Sequence, residues 1–297
     1  MIEGVATNIE GPRPEGAEAS APAWRIFCLG QFRVYRGQEE IKEWCRGKGP
    51  AQKVKAMFAY LLARGEKGAS KWELLDLLWP HQKDMRRANN SFHAALYSLR
   101  RALEPGLRRG ERASCITYQE GRCKFAPPGG CWVDADAFEG HYCQGQRLER
   151  LGQREAALLQ YKMAEELYKG DYMAGISPKY TEDCADDWCR WRRFRLKDMY
   201  LTVLLKLARH YEERGQGEEC LAYARKALAQ DDCCEEAHRM MMRAFYRAGQ
   251  REDLIRQYRL CQRILRRRED REPSAETVAL YKRLLAALRK ALNNLKN

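Results

Sequence analysis

The stretch DMRRANNSFHAALYSLRRALEP, residues 84–105, decides how the first half of this chain is read. On a helical wheel at 100° per residue, Ala88, Phe92, Ala95, Leu96, Leu99 and Leu103 fall within about 60° of one direction, the apolar stripe of a core-facing helix. The other side carries Arg87, Asn90, Ala94, Tyr97 and Arg101, flanked by Arg86 and His93. A solvated helix face usually mixes signs, with acids and bases four residues apart. This face has no acid between Asp84 and Glu104. Arg and Asn grip guanine and adenine edges bidentately, and Ala can touch a thymine methyl. The composition therefore suits a helix lying in the major groove of double-stranded DNA. Asp84 is placed to cap it, and Pro105-Gly106 ends it.

The neighbouring segments extend this reading. CITYQEGRCKFA, 115–126, has the alternation of a hairpin: Ile116, Tyr118, Cys123 and Phe125 on one face, Arg122 and Lys124 on the other, and Gly121 at the turn. Upstream, WRIFCLGQFRVYRGQEEIKEW (24–44) alternates Ile26, Cys28, Phe32 and Val34 at strand period, with a turn at Arg36-Gly37 before a second short strand. In GPAQKVKAMFAYLLARG, Pro50 suits a first helical position, Val54, Met57, Phe58, Leu61 and Leu62 make one face, and Gly65 closes the helix. SKWELLDLLWP (70–80) carries a capping box at Ser70 and Glu73, a stripe of Leu74, Leu77 and Leu78, and a stop at Pro80. Strands, three helices and a closing hairpin, in that order, predict a winged helix.

The second half repeats. LGQREAALLQYKMAEELY at 151–168 matches AGQREDLIRQYRLCQRIL at 248–265, and in RGQGEECLAYARKALAQD, 214–231, Gly215 precedes Gly249 by 34 residues. That period is the tetratricopeptide signature of stacked helix pairs. Met240, Met241, Met242, Phe245 and Tyr246 lie at helical spacing and are expected in the core. The fold class is thus mainly α with a small β component: an N-terminal winged helix and a C-terminal tetratricopeptide-like α-solenoid. The expected division is a disordered leader over 1–22, a winged helix over 23–140 and helical repeats over 141–297.

Charge supports the DNA reading. Lys and Arg outnumber Asp and Glu by 54 to 41, a net charge of +13. The excess is local: ten bases against four acids over 83–124, thirteen against six over 251–297, and near balance, nineteen against eighteen, over 141–250. RILRRRED, 263–270, reads as a solvated helix end, with RNA binding as the alternative. No apolar stretch suits a signal peptide or a membrane span. A cytoplasmic protein with reduced thiols is expected, without membrane contact. The twelve cysteines form no CxxC pair, and Cys184/Cys189 and Cys233/Cys234 lack zinc-ligand spacing, so no metal is expected. In VDADAF, Asp134 and Asp136 alternate like paired carboxylates; a strand-to-helix junction with Asp136 as N-cap explains them more simply. The five histidines are scattered, and no GxSxG, HExxH or GxxxxGK[ST] occurs, so neither catalysis nor a cofactor is expected.

Residues 24–139 resemble the OmpR-type winged helix, in the version found in the SARP/AfsR family of bacterial transcriptional regulators. The segments that carry the likeness are FCLGQFRVYRGQEEI, AQKVKAMFAYLLARGEKGASKWELLDLLWP, RRANNSFHAALYSLRRALEP and WVDADAFE. GDYMAGI, DWCRWRRFRLKDMYL and REPSAETVALYKRL resemble the bacterial transcriptional activator domain that follows it in that family. The resemblance implies that 84–103 is the recognition helix, 115–126 the wing, and Trp79, Pro80, His81, Gln82 and Lys83 a turn facing RNA polymerase. It implies an activator that binds direct repeats as a head-to-tail homodimer. The rival reading is a tetratricopeptide-type interaction scaffold with an incidental basic surface.

Overall fold

The computed structural model describes residues 23–45, 50–108, 110–182 and 187–294. The expected leader over 1–22 and Cys184 lie outside the described residues.

The described residues open with three strands, β1 (Trp24–Phe27), β2 (Arg33–Arg36) and β3 (Glu39–Glu40), where the alternation predicts two. The extra break has a tertiary cause. Leu29 leaves the strand to bridge Tyr172, and Gly30 at φ 92° donates its N–H to the Asp171 carbonyl at 3.1 Å. Helix α1 (Ala51–Arg64) buries Val54, Met57, Phe58 and Leu61; Pro50 stands one place earlier than expected, as its N-cap. After β4 (Ala69–Ser70), helix α2 (Lys71–Leu78) opens with the expected capping box: the Ser70 hydroxyl accepts from the Glu73 N–H at 3.2 Å, and the Glu73 carboxylate accepts from the Ser70 N–H at 2.7 Å. Helix α3 (Met85–Leu103) is capped by Asp84 and buries the six apolar residues of its stripe.

Strands β5 (Ile116–Gln119) and β6 (Arg122–Phe125) form the hairpin around Glu120 and Gly121, both at positive φ, and β6 also pairs with β4. Strand β7 (Trp132–Val133) returns to the first sheet and pairs in parallel with β1. The two sheets have the orders β3-β2-β1-β7 and β4-β6-β5. This is a winged helix.

Helix α4 (Asp134–Arg150) follows β7 with no linker, so the 140/141 boundary drawn from sequence runs through it. Its first residue also corrects the N-cap expectation. The N-cap position is Val133, Asp136 lies in the first turn and pairs with Arg192, and Asp134 is the buried acid. The Asp134 carboxylate accepts the Cys28 N–H at 2.8 Å, the Leu29 N–H at 3.0 Å and the Cys28 thiol at 3.0 Å. Burial raises its pKa above the usual carboxylate range, against the pull of those donors. The acid therefore satisfies the backbone where β1 ends, as a buried polar group must.

The remaining helices are α5 (Arg154–Leu167), α6 (Arg190–Glu213), α7 (Gly217–Gln230), α8 (Glu235–Arg247), α9 (Arg251–Glu269) and α10 (Ala275–Asn294). The repeat seen in sequence is a repeated turn. Gly152, Gly215 and Gly249 take φ of 74°, 72° and 71° between α4 and α5, α6 and α7, and α8 and α9. The following Gln N–H returns in each case to a carbonyl five residues back: Gln153 to Leu148, Gln216 to Tyr211, Gln250 to Phe245. That is the Schellman closure, and its left-handed residue favours glycine. The α8 methionines are core: Met241 and Met242 pack with Phe245, Leu254, Leu280 and Leu284, and Met240 with Ala208 and Cys220.

One core runs from Trp24 through the winged helix to Leu207 and on to Ala237. Its joint is close. A Cβ on Gly175 would lie 2.2 Å from the Phe32 nitrogen, the Met173 N–H donates to the Cys28 carbonyl at 2.8 Å, and Tyr60 meets Trp188 edge-on at 5.3 Å. No helix among the described residues is long and apolar enough to cross a membrane.

Candidate nucleic-acid interface

Helix α3 is anchored by its stripe and displays the opposite side. Phe92 is fully buried between the helices and the hairpin; its ring lies 5.6 Å from that of Tyr118 on β5, which also meets His93 at 6.2 Å. These contacts fix the rotation of the helix. They leave Arg86, Arg87, Asn90, His93, Ala94 and Tyr97 exposed together, with Tyr97 60% accessible. Among the described residues Arg87 pairs only with its own cap, Asp84, at 3.3 Å, and no acid intervenes along the face. Cationic side chains without compensating carboxylates leave a positive surface on this side.

Three predicted residues are held more tightly than their sequence suggested. Arg101 is half-buried, with its guanidinium donating to the Leu107 carbonyl. Arg122 donates to the Lys67 and Gly68 carbonyls at 3.0 and 3.4 Å, and Lys124 stands 3.8 Å from Glu66. The hairpin cations thus lean over the turn Gly65–Lys67. Residues Trp79–Lys83 do form the connection between α2 and α3. Pro80 to Lys83 are exposed, while Trp79 is half-buried beneath the Lys53 ammonium at 4.7 Å. Burial, and after it the charge of Lys179, lower the Lys53 pKa.

Sequence reasoning missed Lys71 and Trp72. The Lys71 N–H donates to the Gly121 carbonyl at 2.8 Å, so the start of α2 abuts the hairpin turn, and Trp72 beside it is 67% exposed. One signal was present: on the wheel Trp72 lies opposite Leu74, Leu77 and Leu78.

The assembly is a winged helix with an exposed basic helix face, continuous with an α-helical repeat domain, the build of a transcriptional regulator. The family model of the bacterial transcriptional activator domain matches residues 133–285. The chain belongs to this family, and with the winged helix before that domain it is a SARP-type transcriptional regulator. Comparison with curated proteins gives no match. Among solved structures, the fold resembles Mycobacterium tuberculosis EmbR in complex with a low affinity phosphopeptide, with a TM-score of 0.66 and 15% identity over 92% of this chain and 71% of that one.

Proposed function

We propose that this regulator binds duplex DNA in a sequence-specific manner through α3 and activates transcription by recruiting RNA polymerase. The observation that carries the reading is the acid-free exposed face of Arg86, Arg87, Asn90, His93, Ala94 and Tyr97, held beside a basic hairpin. Arg87 and Asn90 in the first turns of α3 read base edges, Arg122 and Lys124 meet backbone or minor groove, and Arg101 supports the end of the helix. Lys71 and Trp72 add contacts beside the hairpin. Two copies sit head to tail on direct repeats, and the turn Trp79–Lys83 faces the polymerase. The protein works in the cytoplasm, without catalysis or a cofactor.

The test starts by selecting bound fragments from random duplexes with the full chain. Arg87→Ala and Asn90→Ala should each cost about 1–3 kcal/mol on the selected site and much less on random DNA. If both variants fold and keep the wild-type specificity ratio, α3 does not read the operator. Phe92→Ala is the control for folding; loss of this buried ring should cost about 3–5 kcal/mol of stability. Replacing His81, Gln82 and Lys83 with alanines should leave operator affinity nearly unchanged and lower transcription in a reconstituted assay. Equal loss of both would remove the polymerase role.

A further inference from the structure

Helix α9 carries a dense run of arginine. From Leu254 to Arg268 the sequence LIRQYRLCQRILRRR holds six arginines and no acid. Leu254, Gln257, Cys261 and Leu265 are its buried line. On the wheel Arg256, Arg259, Arg263 and Arg267 fall within about 80° of each other, opposite that line. All four are exposed. At about 1.5 Å per residue they make a row roughly 16 Å long.

Several cations elsewhere in the repeats are tied to carboxylates. Lys206 reaches Glu149 at 2.5 Å, Arg214 reaches Glu155 at 2.6 Å, Lys226 reaches Glu165 at 2.6 Å, and Arg209 pairs with Glu236. Even on α9, Arg266 and Arg268 lean away to Glu272 and Asp232. Arg256 has Asp253 at 3.4 Å, its side chain staying 73% exposed, while no described carboxylate pairs with Arg259, Arg263 or Arg267. The unpaired arginines of this run thus share one side of the helix, while Arg266 and Arg268 turn aside to carboxylates.

We infer that the outer arginine row of α9 is a second, sequence-independent binding surface for the phosphodiester backbone of duplex DNA; the inference rests on the reading of the chain as a DNA-bound regulator. Guanidinium groups match phosphate geometry, and every charge in the row is Arg. Duplex DNA presents a phosphate about every 3.4 Å along each strand, dense enough for each guanidinium to find one. A protein partner would need an apolar anchor at the centre of the contact. Beside the row lie a half-buried Ile255 and Leu260 at 36% exposure, and no large aromatic stands among the four arginines.

The experiment measures binding of the full chain to a random-sequence duplex of about 60 base pairs from 50 to 200 mM salt. Because each phosphate contact contributes about 0.9 to the slope of log K against log salt, R259Q/R263Q/R267Q should flatten it by about 2–3. R259K/R263K/R267K, which keeps the charge, should stay near wild type. The paired cations are the control: R209Q/R214Q/K226Q should change the slope by less than about 0.5. An unchanged slope in the row variant, or an equal change in the control, would overturn the inference. So would loss of binding to single-stranded RNA or polyglutamate with duplex binding intact. Circular dichroism of each variant confirms the helix content. If the row variant keeps its slope while Arg87→Ala loses specificity, only this inference falls. If Arg87→Ala and Asn90→Ala keep specificity while the row variant flattens the slope, only the recognition-helix reading falls. A wild-type chain that binds no duplex ends both.

Discussion

Helices α3 and α6 are both rich in arginine, and they use it in opposite ways. On α6, Arg192 meets Asp136 and Glu139, Arg193 meets Glu182, Arg195 meets Glu139, Lys206 meets Glu149 and Arg209 meets Glu236. These pairs reach from α6 to α4, to the segment before α6, and to α8. On α3, Arg86 has no described ion partner and Arg87 has only its own cap. Cations that cross-link helices orient the fold, whereas cations left facing water without acids are available to a polyanion. Composition alone does not separate the two cases. The placement of the acids does.

The strongest way to sharpen this contrast is to remove an acid from the repeat side. The Glu235 carboxylate on α8 accepts from the Ser274 N–H at 2.9 Å, the Ser274 hydroxyl at 2.7 Å and the Thr277 hydroxyl at 2.6 Å, and pairs with Arg271 at 2.5 Å. It thereby caps the start of α10 from another helix. Burial alone would raise its pKa, but Thr277, Arg271 and Ser274 outweigh that and bring it to about 2, from an ordinary 4.5. A depressed carboxylate pKa contributes stability that is complete above the ordinary value and is lost as pH falls from about 5 toward 2. Glu235→Gln should cost on the order of 2–3 kcal/mol at pH 7. The gap from wild type should shrink by about half or more at pH 3, as followed by denaturant melts. A gap independent of pH would show that the charge is not what holds α10.

A smaller effect tests whether the two halves act as one body. Gly175 leaves no room for a Cβ, because Phe32 backbone nitrogen and Cβ lie 2.2 and 2.9 Å from where it would sit. Gly175→Ala should destabilise the chain by about 1–3 kcal/mol through overpacking. Limited proteolysis should then cut between the winged helix and the repeats before either half is digested. Uniform digestion would mean the joint is not the weak point.

The smallest effect is expected from the exposed pairs. Arg214 and Glu155 are 54% and 71% exposed at the side chain, so Arg214→Ala should cost less than about 1 kcal/mol and become neutral at high salt. A loss as large as that of Glu235→Gln would erase the distinction between buried and exposed pairing.

Much of this was legible in the sequence because it is local. The stripe of α3, its Asp84 cap, the Ser70–Glu73 capping box, the hairpin at Gly121 and the Gly-Gln turns of the repeats each rest on residues a few positions apart. Helical and strand periods report directly on which side is buried. What escaped depended on partners far along the chain. Asp134 is buried because Cys28 and Leu29, more than a hundred residues earlier, end their strand against it. Arg122 was assigned outward correctly, yet its guanidinium is occupied by the Lys67 and Gly68 carbonyls, and the start of α2 at Lys71 meets the hairpin turn at Gly121.

The sequence by itself thus determined the three helices and hairpin of the first half, the two-part order and the acid-free face of α3, since each follows from spacing within short stretches of chain. Only the tertiary structure decided that the winged helix and the repeats share a core, with α4 continuous across the junction and Gly175 pressed against Phe32. It alone decided which arginines are tied to carboxylates and which are left to the solvent. Both outcomes depend on distances between residues that the chain brings together only on folding, and a one-dimensional pattern does not contain them.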